Sequence, residues 1–319
     1  MTSSTDQVLA LDIGGTKLAA AVIDAANGRI LAEVRRAAPS EQGAPAVIQT
    51  MFEMGAQALN ETNLRKPSRV GISFGGPVSA DRKSVLMSNH VAGWGGIPLP
   101  LLAEEAFGCP AFMDNDANAA ALGSWHFDTA CEPDNLIYVQ ISTGIGSGIV
   151  LNRNLYRGGS LAGEVGHITV TPQGPECVCG KHGCLESLCA GWALARAGRD
   201  ALLSADVASP LRRMSGGDIN RVDARLVIEA ARAGDAQAAG IIHQAFTALG
   251  IAIANVISLF DPQVVILGGG VTRAEAEMRA VLEPVIDREL HPLFKNRCKL
   301  EFSSLNGKET LLGAALLQD

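Results

Sequence analysis

The sequence predicts an α/β protein made of two related lobes, and three observations lead to this prediction. The first is a repeat: a strand, a glycine turn that carries a threonine, and a second strand occur at residues 9–23 and again at 135–151. The second is that runs of strand length alternate with segments of helical spacing after each repeat. The third is the length of 319 residues, which is typical of about two domains. We therefore expect duplicated α/β domains with a ligand cleft between them.

The composition excludes several classes of protein. With 47% hydrophobic and 18% charged residues the chain is globular, and its net charge of −7 argues against nucleic acid or a membrane surface as the main partner. Seven cysteines and a polar start without a signal-peptide pattern predict a cytoplasmic protein with free or metal-bound thiols. The apolar segment 238–260 contains polar residues such as His243 and Asn255, so it predicts a buried helix and no membrane span.

The first lobe begins with three strands. Apolar runs at residues 8–13, 18–23 and 30–34 are separated by short turns, which predicts an antiparallel meander. The first turn suits an anion because its glycines expose backbone N–H groups while its last two residues add a hydroxyl and a charge. The residues of this turn are Gly14, Gly15, Thr16 and Lys17.

Asp12 lies at the end of the first strand, where its carboxylate could hold Mg²⁺ through water. A plain hairpin with a solvated Asp12 and Lys17 is the alternative. The turn is not a Walker A motif, which needs a longer glycine loop that opens a helix.

The rest of the first lobe alternates helices and strands. Helices are predicted at 45–60 and 99–107, and strands at 69–74 and 110–113. The first helix has Val47, Met51 and Met54 on one side. Between these elements, a glycine-rich loop at 88–96 carries Asn89 and Trp94. This loop suits a polar, ring-shaped ligand, or it is a surface loop with one packed tryptophan.

A cluster of four Asx residues follows the strand at 110–113 and opens an alanine-rich helix. These residues are Asp114, Asn115, Asp116 and Asn118. Ordinary capping by Asn115 or Asp116 explains one of them but not four. A carboxylate at a helix N-terminus is stabilised in its charged form, so Asp116 is a candidate general base that accepts a proton from a hydroxyl.

The second lobe repeats the plan. A strand at 135–142 precedes the turn 143–148, whose Thr143 and Gly144 would bind phosphate. The turn is not a dinucleotide fingerprint, because a strand and not a helix follows it. Helices are predicted at 191–203, 223–233, 236–260 and 274–290, and strands at 149–151, 263–267 and 300–304.

Two glycine-containing segments complete the second half of the chain. Gly268, Gly269 and Gly270 follow the strand at 263–267 and allow the close approach of a ring or a phosphate. A tight turn would need only one glycine. The last predicted helix, 308–317, carries Gly313 with two alanines and is expected to pack closely on a neighbour.

A metal site is predicted between residues 167 and 186. Three thiols within eight loop positions, with a histidine upstream, are typical of a closed, tetrahedral structural zinc site. The ligands are His167, Cys177, Cys179 and Cys184. Reduced cysteines without metal are the alternative, and His182 is the rival fourth ligand. Two carboxylates, Glu164 and Glu186, bracket the predicted ligands.

Taken together, these motifs resemble those of the ROK family of sugar kinases, which belongs to the actin-like ATPase superfamily. The matching segments occur in family order at residues 11–17, 115–118, 142–148, 164–167, 177–186 and 267–270. The resemblance implies a ribonuclease H-like fold. Its small N-terminal lobe would comprise residues 1–118 completed by a C-terminal helix at 306–319, and its large lobe residues 119–305 with the zinc loop 167–186.

The resemblance also implies roles. Asp116 would take the proton of the sugar 6-hydroxyl as that oxygen attacks the γ-phosphate of ATP, and His167 would use one ring nitrogen for zinc and the other for the sugar. The residues that would contact the sugar are Asn89, Asn115, Asp116, Glu164, His167 and Glu186. Those that would line the nucleotide and Mg²⁺ site are Asp12, Gly14, Gly15, Thr16, Lys17, Thr143, Gly144, Gly268 and Gly269.

We therefore expect an ATP-dependent hexose 6-kinase. Glucose is the expected substrate, and N-acetylmannosamine, fructose or another hexose are alternatives. A sugar-binding sensor without turnover and a phosphatase or ATPase with a non-sugar substrate are alternatives from other classes; the intact Asp116 argues against the sensor. Repressors of this family carry an N-terminal helix-turn-helix, whereas here a strand is predicted from residue 8, so no nucleic acid is expected as a partner. A homodimer is usual for the family.

Overall fold

The structure is a computed structural model that describes residues 6–88, 91–129, 132–204 and 206–318. The chain forms two compact units. The first comprises Met1–Asp134, Gly148–Gly163 and Ser304–Asp319, and the second comprises Asn135–Ser147 and Glu164–Ser303.

The elements from residue 7 to residue 127 all belong to the first unit. They are β1 (Gln7–Ile13), β2 (Lys17–Asp24), β3 (Arg29–Ala37), α1 (Gly43–Glu61), β4 (Val70–Phe74), α2 (Leu99–Phe107), β5 (Ala111–Asn115) and α3 (Asp116–Phe127). The strands form one sheet in the order β3-β2-β1-β4-β5. β1 pairs antiparallel with β2 and β2 with β3, which confirms the predicted meander. β4 pairs parallel with β1 and with β5.

Both faces of this sheet are covered, which explains why β1 is apolar at nearly every position. Side chains alternate between the faces of a strand. Leu9 and Leu11 therefore join one cluster with Met51 and Met54 of α1, as the helical spacing predicted. Val8 and Ala10 join a second cluster on the opposite face with residues near the C-terminus such as Leu311.

The elements after residue 135 repeat this order. They are β6 (Leu136–Ile141), β7 (Ile145–Leu151), β8 (Asn154–Tyr156), α4 (Glu186–Cys189), α5 (Gly191–Ser204), α6 (Pro210–Ser215), α7 (Ala224–Arg232), α8 (Ala236–Phe260), β9 (Val264–Gly268), α9 (Glu275–Glu289), β10 (Lys299–Phe302) and α10 (Glu309–Leu316). The second sheet has the order β10-β9-β6-β7-β8. β9 pairs parallel with β6 and with β10, just as β4 does with β1 and β5. The predicted duplication is confirmed, since the two sheets share one strand order.

The long helix α8 supplies much of the core of the second unit. Among the described residues it alone is long and apolar enough to cross a membrane, but 61% of its most apolar window is buried. Its buried side chains, including Phe246, Leu249 and Ile253, pack with strands β6 and β9 in one cluster. It is therefore the core helix that its interspersed polar residues predicted.

The C-terminal helix α10 packs against α3 within the first unit, as its small residues predicted. A side-chain carbon at Gly313 would lie 1.6 Å from the carbonyl oxygen of Ala119, and one at Gly123 would lie 2.3 Å from that of Glu309. Only glycine at both positions lets the two backbones approach this closely.

Several predicted boundaries differ from the structure. The predicted division after residue 118 and the two compact units are not the same, because α3 lies entirely in the first unit, where α10 covers it. The expected start of β7 at residue 149 is wrong, since the strand begins at Ile145 within the glycine-rich segment. Strand β8 and helix α6 were not predicted; both are short, with three and six residues.

Candidate active site

Asp116 is the first residue of α3 and follows directly after strand β5. Its Oδ1 accepts a hydrogen bond of 2.9 Å from the backbone N–H of Ala117. Of the two predicted N-cap candidates, Asn115 is the N-cap: its Oδ1 accepts from the N–H groups of Ala117 and Asn118, at 2.9 and 3.4 Å. The Nδ2 of Asn115 donates to the Gly76 carbonyl at 3.1 Å, so this amide links the segment after β4 to the start of α3.

Asp12 is half-buried at the end of β1, and two hydroxyls hold its carboxylate. Ser73 Oγ donates to its Oδ1 at 2.9 Å and Thr310 Oγ1 donates to its Oδ2 at 3.1 Å. Burial raises the pKa of Asp12, and the two hydroxyl hydrogen bonds oppose that shift. Thr310 was missed by the sequence analysis, because α10 begins 298 residues after Asp12 and no local pattern links them.

The predicted phosphate turn is a tight β1–β2 hairpin connection. The N–H of Gly14 donates to the carbonyl of Lys17 at 3.1 Å, and Ser40 Oγ donates to the carbonyl of Gly15. Thr16 and Lys17 are exposed, so the hydroxyl and the ammonium are accessible to a ligand.

The structure brings this turn and Asp116 together around Gly75, at the end of β4. A side-chain carbon at Gly75 would lie 3.4 Å from Gly14 Cα and 3.8 Å from Asp116 Oδ2. The candidate general base and the candidate phosphate turn are therefore neighbours in the first unit. The signal in the sequence is the Gly75–Gly76 pair directly after the predicted strand 69–74.

In the second unit, Glu186 holds the β6–β7 turn. This carboxylate is buried, and its Oε2 accepts a hydrogen bond of 2.8 Å from the N–H of Ile145. A side-chain carbon at Gly144 would lie 2.8 Å from the same oxygen, so glycine is needed for this contact. Thr143, next to it, is exposed.

The three glycines after β9 differ in their surroundings. Gly268 packs against Tyr138, and Gly269 has a φ of +94° with the Ile141 carbonyl 2.4 Å from the position of a side-chain carbon. Gly270 faces open space. The requirement for glycine is therefore structural at the first two positions, while the third opens onto a cavity.

A cavity of about 610 Å³ lies in the second unit, a size typical of small-molecule sites. Of the residues predicted to line a nucleotide site, Thr143 contributes to its wall. The other walls come from α5, α7 and the segment after β9, and the sequence analysis missed them. Their lining residues include Trp192, Asp223, Arg225, Arg232, Gly270 and Arg273. Asp223 was signalled only as a helix start, since its side chain caps α7.

The four predicted metal ligands come together. Their ligand atoms all lie within 4.8 Å of one another. Cys179 Sγ and Cys184 Sγ are 3.7 Å apart, as are Cys177 Sγ and His167 Nδ1. A tetrahedral zinc ion with Zn–S bonds of about 2.3 Å separates its sulfur ligands by roughly 3.8 Å, so this group fits such an ion. His182, the rival ligand, instead lies beside the Gly174 carbonyl at 3.4 Å.

The remaining ring nitrogen of His167 points to Glu164. His167 Nε2 lies 4.0 Å from Glu164 Oε2, and both side chains are partly exposed. Partial burial raises the pKa of Glu164, while His167 lowers it. The imidazole thus offers Nδ1 to the cysteine cluster and Nε2 to the side where Glu164 lies. Asn89, the remaining predicted sugar contact, lies outside the described residues.

Comparisons with known proteins show which family the chain resembles over its length. The sequence model of the ROK family matches residues 8–319. The glucokinase of Thermotoga maritima is 32% identical over 311 residues, covering 97% of this chain and 96% of that protein. The N-acetylmannosamine kinase of Shigella flexneri is 32% identical over 313 residues and covers 97% of both chains.

A solved structure extends the likeness to the fold. The ROK family glucokinase from Streptomyces griseus, in complex with glucose and AMPPNP, is 33% identical with a TM-score of 0.85, covering 97% of this chain and 98% of that chain. The repeated strand order found here is that of an α/β, actin-like ATPase fold. On its sequence, its motifs and its fold, this chain belongs to the ROK family.

Proposed function

We propose that the protein is an ATP-dependent kinase that phosphorylates a hexose at its 6-hydroxyl, with glucose as the expected substrate. The observation that carries the proposal is the approach of Asp116 to the Gly14 turn around Gly75. A carboxylate beside a glycine turn with an exposed threonine and lysine can accept a hydroxyl proton while the turn holds phosphate. Relatives that are a glucokinase and an N-acetylmannosamine kinase support the sugar-kinase class.

In the proposed reaction the sugar O6 attacks the γ-phosphorus of ATP, and the bond to the bridging oxygen of ADP breaks. Asp116 accepts the proton that O6 loses. Because phosphoryl transfer depends mainly on positioning and on neutralised charge, the other residues orient the sugar hydroxyls. We assign this role to Asn89, Asn115, Glu164, His167 and Glu186. Of these, Asn115 and Glu186 also form hydrogen bonds with the backbone. They would bind the sugar with the donor and acceptor positions that these bonds leave unused.

For the nucleotide, we propose the cavity of the second unit as the nucleoside site, with Thr143, Gly144, Gly268 and Gly269 on its phosphate side. Gly14, Gly15, Thr16 and Lys17 would contact the transferred phosphate. Asp12 suits a divalent cation, because its carboxylate lies beside this turn and hydrogen bonds from two hydroxyls fix the orientation of the carboxylate. Mg²⁺ would neutralise charge on the phosphates.

We propose that His167, Cys177, Cys179 and Cys184 hold a structural Zn²⁺. Four protein ligands leave no open position, so the metal would fix the loop and take no part in the chemistry. The imidazole of His167 would remain a donor through Nε2, because its Nδ1 faces the cluster.

The experiment that tests the proposal is a coupled assay of ADP release over a panel of glucose, mannose, fructose and N-acetylmannosamine. We expect hexose-dependent ADP with the highest kcat/KM for glucose. A preference for another hexose would change the substrate but keep the class. If no sugar elicits ADP while calorimetry detects sugar binding, the protein is a sensor; without binding either, the sugar-kinase proposal is wrong.

We also propose a cytoplasmic location and a homodimer. The thiol-rich metal loop supports the first, since reduced cysteines are typical of that compartment. Light scattering of the purified protein would measure the second, with a mass of 33.2 kDa per chain.

A further inference from the structure

A second carboxylate lies directly behind the candidate general base. The Asp114 side chain is only 1% exposed. Its Oδ1 accepts hydrogen bonds of 2.8 Å from the N–H of Asn115 and from Nδ2 of Asn118. Its Oδ2 accepts a hydrogen bond of 2.6 Å from Nε of Arg157. One buried carboxylate thus holds the end of β5, the first turn of α3 and a distant arginine.

Arg157 supplies the counter-charge of the buried Asp114 carboxylate. Within the described part of the chain, Arg157 is the only cationic side chain within 4.0 Å of this carboxylate. A buried carboxylate without a counter-charge is strongly unfavourable, whereas a paired one with all its hydrogen bonds is tolerated. Removal of Arg157 would therefore strain the junction that carries Asp116, because Asp114 would have to regain water or change its partners.

The backbone of Arg157 organises a second segment. Its carbonyl accepts hydrogen bonds from the N–H groups of Ser160 and Ala162, at 2.9 and 3.2 Å. These bonds close a loop with positive φ angles at Gly158, Ser160 and Gly163, of +56°, +110° and +95°. The chain passes directly from this loop to Glu164. Arg157 is therefore joined to the Asp116 junction by its side chain and to the loop before Glu164 by its backbone.

We propose that Arg157 is a positioning residue for the transfer of the sugar proton. It acts through Asp114 on the strand end and helix start that present Asn115 and Asp116, and it orders the loop that leads to Glu164. Arg157 need not touch either substrate. The inference rests on the proposed function, since it assigns Arg157 to the hexose side of that reaction.

The test is a set of variants whose kinetics are measured while the hexose and ATP concentrations are varied separately. For Arg157→Gln we expect kcat to fall roughly 10- to 100-fold and the hexose KM to rise several-fold, because small displacements of a base are costly. The KM for ATP should stay within about two-fold of the parent value. A general loss of folded protein would instead lower kcat and leave both KM values unchanged.

The double variant Asp114→Asn/Arg157→Gln distinguishes positioning from substrate contact. It removes both charges, and the new amide oxygen can still accept from Asn115 and Asn118. We expect its kcat and melting temperature to recover above those of Arg157→Gln. If Arg157 contacted substrate directly, the double variant would be no more active than the single one, and the positioning role would be wrong. Arg157→Lys keeps the charge and should retain more activity than Arg157→Gln.

Arg297→Gln is the matched control, because Arg297 forms an equally short ion pair of 2.6 Å with Asp261 whose side chains are 57% and 45% exposed. Its kinetics should equal those of the parent. An active parent with an unaffected Arg157→Gln variant would overturn only the Arg157 assignment. A parent inactive on every hexose would overturn the proposed function, and the assignment with it.

Discussion

At the scale of single residues, Asp12 and Asp116 are two carboxylates whose surroundings differ, and their proposed roles differ accordingly. Both lie at the ends of strands in the first unit. Asp12 is half-buried, and each of its oxygens accepts a hydrogen bond from a hydroxyl. Asp116 begins a helix, where its charge is favoured by the N–H groups of the first turn. Such surroundings suit Asp12 to a fixed electrostatic task and Asp116 to exchange of a proton.

The first prediction concerns Asp116→Asn. The amide keeps the size of the side chain but accepts no proton, so we expect kcat with a hexose to fall by about 10²- to 10⁴-fold. Sugar affinity, measured by calorimetry, should change much less. Turnover close to that of the parent would show that another group is the base.

The second prediction concerns Asp12→Asn. Because burial raises the pKa of Asp12, its ionised form is less favourable in the folded chain than in the unfolded chain at neutral pH. We expect the neutral variant to melt a few degrees higher without ligands, because its free energy of unfolding would rise by ~1 kcal/mol. The same variant should lose activity with Mg²⁺ and ATP. A lower melting temperature would mean that the Ser73 and Thr310 hydrogen bonds stabilise the charge more than burial disfavours it.

At the scale of elements, the loop from residue 167 to residue 186 connects the cysteine cluster to two other segments. Its start carries His167, whose second nitrogen lies beside Glu164. Its end is Glu186, which holds the β6–β7 turn through Ile145. The conformation of the loop therefore affects the position of His167 beside Glu164 at one end and of the β6–β7 glycine turn at the other.

The third prediction follows from this connection. If the proposed zinc is bound, its chelation, or Cys179→Ser, should weaken glucose binding by about ten-fold or more, while nucleotide affinity changes less. Metal content and both dissociation constants would be measured on the same samples. Cys298→Ser is the control, since this thiol lies outside the cluster. An equal loss of both affinities would mean that the metal supports the whole second unit.

The contact between α3 and α10 leads to the fourth prediction. Gly313→Ala would place a carbon against the Ala119 carbonyl of the neighbouring helix, so we expect a loss of more than ~3 kcal/mol in the free energy of unfolding. Gly240→Ala is the matched control: this glycine also lies in a helix, α8, but faces open space. Its variant should be neutral or slightly more stable. Similar denaturation midpoints for the two variants would contradict the close packing.

At the scale of the whole molecule, the duplication gives two sheets with the same strand order, and the two compact units carry different ligand features. The first unit contains Asp12, the Gly14 turn and Asp116. The second contains the cavity beside Gly270 and the cysteine cluster. The candidate general base and the cavity therefore lie in different units.

The fifth prediction uses this division. Hydrogen exchange with a non-hydrolysable ATP analogue alone should slow amides at the starts of α5 and α7 and after β9, which line the cavity. Glucose alone should slow amides around residues 115–118 and 164–167. Protection of α7 by glucose but not by the analogue would mean that the cavity is not the nucleoside site.

Much of the fold and of the site could be predicted because the responsible forces act between neighbours in the chain. Short apolar runs separated by turns determined the strands of the meander. The side chain of Asn115 caps the helix that begins at the next residue, by accepting from the N–H of Asn118. The spacing of the cysteines likewise brought their thiols together within one loop. Asn89 is the exception, since its position lies outside the described residues.

The sequence by itself therefore determined the strands, the caps, the glycine turns and the metal loop, since each depends on contacts over a few residues. Only the tertiary structure decided which distant groups complete them. Thr310 reaches Asp12 across 298 positions, Arg157 reaches Asp114 across 43, and Glu186 reaches Ile145 across 41. Such partners are selected by the packing of helices on sheets, which leaves no periodic trace in the sequence because one residue suffices to make each contact.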